Sequence, residues 1–321
     1  MDVHLIGDLV MLTPIFRNLK NIFPDAKIML LGGPWARSVF MNFDEIDHLE
    51  FIEVPWVKYD NKVRRFCSLI HKIFILRKFN FDLTIEIRGD IRNQFFLRLS
   101  GSKNIVSYSF FGMPYFIDQV VPLKSDLKHL ISYNSNIISF LNSNSSDFQF
   151  VPSLKFSDEE LRSLDNVEKF IGIHFGASLP MRRPNQELLK SWLEQIVRLY
   201  RNSVIVIFDT PEDPNLSYLL QEFLQEFKAS SKIWKGGLRE FMVYLNKCEY
   251  LFCLDSAPAH FASTLNIPSS VIFGPTFETV ASPISGRTKI VSSKLVGCKD
   301  TCDQLSCKNE VFQGCYPTQI C

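Results

Sequence analysis

The sequence predicts an α/β protein with two doubly wound domains in tandem, and three observations carry that expectation. Short β-type runs alternate with longer helical patterns almost from end to end, the way parallel sheets built from βαβ units are written. The chain has 321 residues, 46% hydrophobic and 21% charged, more than one core of about 100–200 residues organises. Near the middle a Ser/Asn-rich stretch, Asn134 to Asp147, interrupts the alternation and is the best linker candidate.

In the first half, strands are expected near Lys27–Leu31, Phe51–Val54, Leu83–Ile87, Asn104–Tyr108 and Ile117–Val121. Leu12, Ile15, Phe16, Leu19 and Phe23 fall at helical spacing, as do Phe66, Leu69, Ile70, Ile73 and Phe74. In the second half, strands are expected near Phe170–Phe175, Val204–Phe208, Lys232–Trp234, Tyr250–Leu254, Ser270–Phe273 and Lys289–Ser292. The expected divisions are a Rossmann-like domain over 1–150, a second over 151–297, and a Cys-rich tail over 298–321. Only six residues precede Gly7, so the first sheet is expected either to start truncated or to lack a central strand.

Charge and motif content narrow the function. Lys and Arg number 35 against 34 Asp and Glu, a net charge of +1, which speaks against a nucleic-acid surface. No apolar run approaches the ~18–20 residues of a membrane-spanning helix and residues 1–20 lack the pattern of a signal peptide; a cytoplasmic location is expected. The sequence contains no G-x-G-x-x-G, no G-x-x-x-x-G-K-[ST] and no G-x-S-x-G, so dinucleotide oxidoreductases, P-loop NTPases and α/β-hydrolases lose ground.

Doubly wound sheets bind ligands outside the carboxyl ends of their strands, and four strand-end motifs stand out. In Ile6-Gly7-Asp8, ahead of a helix expected to start near Thr13-Pro14, Asp8 can serve as a general base on a hydroxyl or simply cap the helix. In His174-Phe175-Gly176-Ala177-Ser178, followed by Arg182 and Arg183, the small residues let a ligand approach the backbone and the cations can pair with phosphate oxygens. An ordinary glycine loop would look the same. In the turn after Phe208, Glu212 can accept hydrogen bonds from sugar hydroxyls or stand solvated. The fourth motif runs from an apolar strand into Asp255-Ser256-Ala257-Pro258, with His260 one turn further and Gly274-Pro275-Thr276 closing the next strand. A helix start there, with donors on Ser256 and His260, is a natural diphosphate site.

Taken in order, "IGDLVMLTPIFRNLKNIFPDAKIMLL", "FDLTIEIRGDIRN", "IGIHFGAS", the Glu212 turn, "DSAPAHFASTLNIPSSVIFGPT" and the cysteine-bearing tail resemble glycosyltransferase family 9, the ADP-heptose:lipopolysaccharide heptosyltransferases. The resemblance implies a GT-B fold, two Rossmann-like domains facing across a cleft. It implies an inverting transfer, with no metal or other cofactor in catalysis, from a nucleotide-linked heptose to an inner-core sugar of lipopolysaccharide at the inner face of the inner membrane. By position, Asp8 matches the family's acceptor-activating base, Asp255, Ser256 and His260 its D-[ST]-G-x-x-H diphosphate and sugar site, and Glu212 its nucleotide-gripping acid. Ser178, Arg182, Arg183, Gly274 and Thr276 complete the donor-side set. The sequence departs from the family where Met181-Arg182-Arg183-Pro184 replaces a lysine-containing element and where Ala257 replaces a glycine. The alternative readings are a catalytically impaired nucleotide-sugar or glycan binder and a sugar-nucleotide epimerase.

Two features remain. Between Asp60 and Asp82 lie six Lys or Arg and no acid on a helical apolar stripe; residues 62–78 can rest on an anionic membrane surface or pack their stripe on the sheet. Cys67, Cys248 and Cys253 read as small buried hydrophobes, whereas Cys298, Cys302, Cys307 and Cys315, with Cys321 last, are a candidate structural zinc or iron cluster or a set of reduced thiols.

Overall fold

The computed structural model describes residues 1, 5–56, 62–110, 112, 114–125, 127–142, 148–177, 182–211, 213–276, 278–293 and 315–321, apart from the side chains at 62 and 63. The chain divides into two compact units, Met1–Lys155 and Phe156–Cys321.

In the first unit β1 (Met29–Gly32) pairs in parallel with β2 (His48–Phe51). A second parallel set orders β3 (Thr84–Glu86), β4 (Ile105–Ser107) and β5 (Gln119–Val120). In a doubly wound half, β1 and β3 flank the strand that leads into the first helix. Among the described residues no strand joins them, and the Met1 amino group donates to the Ile85 carbonyl on β3 at 2.7 Å. Leu31, Ile52, Val54, Leu69, Phe96 and Ile105 form one core shared by both sheets. Ile52 and Val54 are buried just beyond β2, which is why an apolar pattern places that strand three residues late.

The helices of this unit are α1 (Ile6–Ile22), α2 (Ala36–Phe40), α3 (Lys62–Leu76), α4 (Ile91–Leu99) and α5 (Leu130–Leu141). Helix α1 starts well before the expected Thr13-Pro14, so Gly7 and Asp8 lie in its first turn. Pro14 is tolerated inside because the Thr13 hydroxyl donates to the Val10 carbonyl at 2.8 Å, the acceptor that the missing Pro14 N–H would have used. The polar stretch expected as a linker is helical through Leu141 and packs on α1. Its asparagines are interior ties: Asn134 donates to Met11 O at 3.0 Å, and Asn136 to Pro122 O at 2.9 Å and Tyr108 Oη at 3.2 Å. The chain then stays in the first unit, with Ser153 N donating to Thr13 Oγ1 at 2.9 Å and Lys155 paired to Glu45 at 2.7 Å.

The second unit holds β6 (Phe170–His174), β7 (Ile205–Phe208), β8 (Ser231–Trp234), β9 (Cys248–Leu254), β10 (Ser269–Phe273) and β11 (Thr288–Ser292). They form one parallel sheet in the order β11-β10-β9-β6-β7-β8, the doubly wound order whose reversal falls between β6 and β9. The strands are nearly unbroken apolar runs, as both faces are covered. Its helices are α6 (Asp158–Arg162), α7 (Gln186–Leu199), α8 (Leu216–Glu226), α9 (Leu238–Tyr244), α10 (Ala257–Thr264) and α11 (Glu278–Ala281). Asn185 caps α7 by accepting from Leu188 N at 2.8 Å. Leu189, Trp192, Leu193 and Ile196 of α7, spaced three and four apart, face the core.

The end of the expected separate tail belongs to that core. Trp192 Nε1 donates to Pro317 O at 2.9 Å, Gln195 brackets Thr318 and Ile320 through its amide, and Ile320 is fully buried. Cys298, Cys302 and Cys307 lie outside the described residues. Cys248 and Cys253 are buried as expected, with burial pushing the Cys248 thiol up to about 12, but Cys67 is exposed because it lies on the outer side of α3.

Candidate functional site

In the second unit the motif residues meet along one sheet edge. All six strands run parallel, so the segments after β6, β9 and β10, which carry Gly176, Asp255 to His260, and Gly274 to Thr276, leave from the same side. At the order reversal His174 ends β6, in register with Cys253 two residues before Asp255. A Cβ on Gly176 would come within 2.0 Å of the Thr210 hydroxyl, and one on Gly274 within 2.3 Å of the Tyr316 ring. Both glycines therefore let a neighbouring side chain close over the strand end.

Ser256 is the extended N-cap residue of α10, yet its hydroxyl donates back to Leu254 O at 3.2 Å and makes no cap to the helix. The first-turn N–H groups of α10 are thus not covered by that side chain, and the positive end of the helix dipole faces the edge beside Asp255. Ala257 is the first helical residue and is not among the described residues with positive φ, so alanine in place of the family's glycine adds no backbone strain. His260 lies one turn further and is 6% exposed.

The two arginines differ. Arg183 donates to Ala177 O at 3.2 Å and pairs with Asp213 at 3.1 Å, bracing the loops after β6 and β7. The buried Arg182 Nε makes no hydrogen bond among the described residues, while its carbonyl accepts from Tyr316 Oη at 2.6 Å. Ser178 and Glu212 lie outside the described residues. Among the described residues no group of His, Cys, Asp or Glu is arranged to hold a metal ion.

In the first unit Asp8 is not a cap. Its carboxylate forms an ion pair with Arg88, from the turn after β3, and both side chains are about four-fifths shielded from solvent. That turn is held from beneath by Glu86, which is fully buried and accepts hydrogen bonds from Gly89 N at 2.7 Å, Arg88 N at 3.2 Å, Asn93 Nδ2 at 3.0 Å and Ser107 Oγ at 2.7 Å. Burial pushes the Glu86 carboxyl above its ordinary range, against the pull of Asn93 and Ser107. Gly89 has φ +65°, and a Cβ there would strike the Phe110 ring. The sequence reading gives Glu86 and Arg88 no site role, and His174 stands in it only as the first residue of its strand-end motif. The available signal was positional, since each lies at the carboxyl end of a predicted strand.

The sequence model of glycosyltransferase family 9 (heptosyltransferase) matches residues 150–311, half of the chain and the whole of the edge just described. The chain belongs to glycosyltransferase family 9. Similarity extends beyond that match: lipopolysaccharide heptosyltransferase 3 of Escherichia coli is 23% identical over 297 residues, covering 88% of this chain and 84% of the relative. Among solved structures, a family 9 glycosyltransferase from Veillonella parvula superposes with a TM-score of 0.75 at 17% identity, covering 92% of this chain and 86% of that one. The ADP-heptose lipopolysaccharide heptosyltransferase II of E. coli gives 0.72 at 17% identity, over 92% and 90%. The protein is thus a family 9 glycosyltransferase with the GT-B fold, and its doubly wound second unit is the part that the family model reads most fully.

Proposed function

We propose that this family 9 enzyme transfers a heptose from a nucleoside-diphosphate donor, ADP-heptose, to an inner-core sugar of a lipopolysaccharide-type acceptor, with inversion. The observation that carries the reading is the family match over residues 150–311. The names of the similar E. coli proteins support heptose and lipopolysaccharide as donor sugar and acceptor.

In this reading Asp8 removes the proton of the acceptor hydroxyl as its oxygen bonds the anomeric carbon, and the bond from that carbon to the diphosphate oxygen breaks. The sugar passes through an oxocarbenium-like state. Negative charge grows on the departing diphosphate, where the first-turn N–H groups of α10, Ser256, His260 and Arg182 supply donors. Arg88 orients the Asp8 carboxylate. The direct test incubates the protein with a panel of sugar nucleotides and a heptose-deficient lipopolysaccharide and measures nucleotide release. Acceptor-dependent release from ADP-heptose is expected; no turnover with any donor, in a chain shown to be folded, overturns the proposal.

A further inference from the structure

Helix α3 is apolar on two sides, and only one side is used by the fold. Leu69 and Leu76 are 7% and 1% exposed and Ile73 packs beside them in the core of the first unit. Phe66, Ile70 and Phe74, at steps of four, are 57%, 42% and 62% exposed. They form a second stripe turned away from the core, so packing on the sheet accounts for half of the expected apolar pattern and leaves the rest in water. Exposed apolar side chains scattered singly are ordinary, but three large ones aligned on one helix face mark a surface that meets something.

The charge around the stripe says what. Arg64 is exposed on the outer side of α3, and Arg77 and Lys78 are exposed just past its end. No acidic residue occurs between Asp60 and Asp82. Of the acids on neighbouring elements, Glu50 of β2 pairs with Lys72, a largely shielded lysine of α3, at 2.6 Å, and Asp82 pairs with Lys103 at 2.8 Å. The outer face therefore presents aromatic and aliphatic groups at its centre and cations along its margin, on a convex helix of 15 residues. Such a helix is too short to cross a bilayer, and among the described residues no helix is long and apolar enough to do so. It suits the headgroup layer, where phenyl rings reach the acyl boundary and Arg and Lys meet lipid phosphates.

We propose that the outer face of α3, centred on Phe66, Ile70 and Phe74, docks the protein on an anionic lipid bilayer. The inference does not depend on which sugar is transferred, so it stands or falls separately from the proposed activity.

The experiment is co-sedimentation of the full chain with vesicles of phosphatidylcholine containing phosphatidylglycerol, and with vesicles of phosphatidylcholine alone. Binding is expected to the anionic vesicles, to weaken as salt is raised, and to be at least ~10-fold weaker on neutral ones. Phe66→Ser/Phe74→Ser is expected to lose at least ~10-fold of that binding at an unchanged melting temperature, since both side chains leave the fold undisturbed. Arg64→Glu/Lys78→Glu, which spares every apolar contact, is expected to do the same at low salt only. An Ile70→Trp variant should show a blue-shifted emission on anionic vesicles. Absence of vesicle binding by the wild type, or binding equal in the serine variant, overturns the proposal. So does a concentration-dependent dimer that the serine variant abolishes while vesicles bind neither form, because the face would then be a protein contact.

Discussion

The Arg88 guanidinium meets the Asp8 carboxylate in the first unit, joining the turn after β3 to the first turn of α1. The pair has a support: Glu86 accepts the N–H groups of Arg88 and Gly89, so a buried acid sets the turn from which Arg88 reaches Asp8. A cation so placed fixes the direction of the carboxylate, and a misplacement of about 1 Å in a reacting group can cost 10²-fold in rate. Arg88→Met is expected to lower kcat by roughly 10–100-fold with the KM for the donor changed less than about twofold, and Arg88→Lys to recover part of the loss. Steady-state kinetics with donor and acceptor varied separately checks this; a donor KM that rises in step with the fall in kcat would assign Arg88 to donor binding instead.

Asp8 itself gives the sharper test of the proposed chemistry. Asp8→Asn keeps the shape and the hydrogen bond to Arg88 but cannot take a proton, and loss of a general base costs about 10²–10⁴-fold. Transfer is expected to fall by that amount while calorimetry finds donor affinity nearly intact. Unchanged turnover would remove Asp8 from the role.

How much of this was legible in the sequence depended on whether the cause was local. Among the described residues the alternation of apolar runs places ten of the eleven strands, β2 alone being set three residues late, because a buried parallel strand is written in consecutive β-branched and aromatic residues such as Ile205–Phe208. Asp255 to His260 was equally readable, since a strand end, a Ser and a Pro at a helix start are neighbours in the chain. The start of α1 was not, because Pro14 suggests a first turn unless Thr13 is known to cover Val10 O. Asn134 and Asn136 read as linker residues because their acceptors, Met11 O and Pro122 O, lie far away in sequence. Arg88 was missed for the same reason: its partner is eighty residues distant, and nothing around it distinguishes an ion pair from a solvated turn.

Thr13 offers a test of how α1, and with it Asp8, is held. Its hydroxyl both donates to Val10 O and accepts from Ser153 N, and the residue is 2% exposed. Thr13→Val keeps the volume but leaves the buried Val10 carbonyl without that partner, at a cost of about 1–3 kcal/mol for a buried group left unsatisfied, while the amide of exposed Ser153 can turn to water. Thr13→Ser should restore most of the stability. Urea unfolding of the three proteins decides; a valine variant as stable as the wild type would show that another group satisfies the Val10 carbonyl.

In the second unit Arg239 grips Glu160 through two contacts, Nε to Oε1 at 2.6 Å and Nη2 to Oε2 at 2.8 Å, while Glu160 also closes the capping box of α6 with Ser157. The hydrogen bond from Arg239 is the main cause that holds the Glu160 carboxyl down, to about 2. A carboxyl depressed on folding stabilises fully above its ordinary value of 4.5, and that stability is lost as pH falls from there through about 2. Because the pair touches solvent, the contribution is about 1–2 kcal/mol rather than the full value of the shift. Arg239→Met is expected to lose this amount at pH 7 and to converge on the wild type as the pH falls through about 2; a difference that stays constant with pH would trace the loss to the packing of Arg239 over the Phe156 ring.

His174 gives the pH test on the opposite kind of group. It ends β6 at the order reversal, stacks on Phe241 with ring centroids 6.1 Å apart, and has a buried Nδ1 that makes no hydrogen bond among the described residues. Burial pushes the imidazole down from 6.5 to about 4, so the folded protein holds it neutral. Above pH 6.5 neither state carries the proton and stability is complete. Between about 6.5 and 4 the unfolded chain binds a proton that the folded chain refuses, so stability drains away across that window, by up to about 2–3 kcal/mol. His174→Phe keeps a ring against Phe241 and removes the proton site. Denaturant titrations at pH 7.5, 5.5 and 4.5 are expected to show the variant gaining on the wild type by that amount as the pH falls, while a parallel decline of the two proteins would mean that His174 is protonated in the folded state.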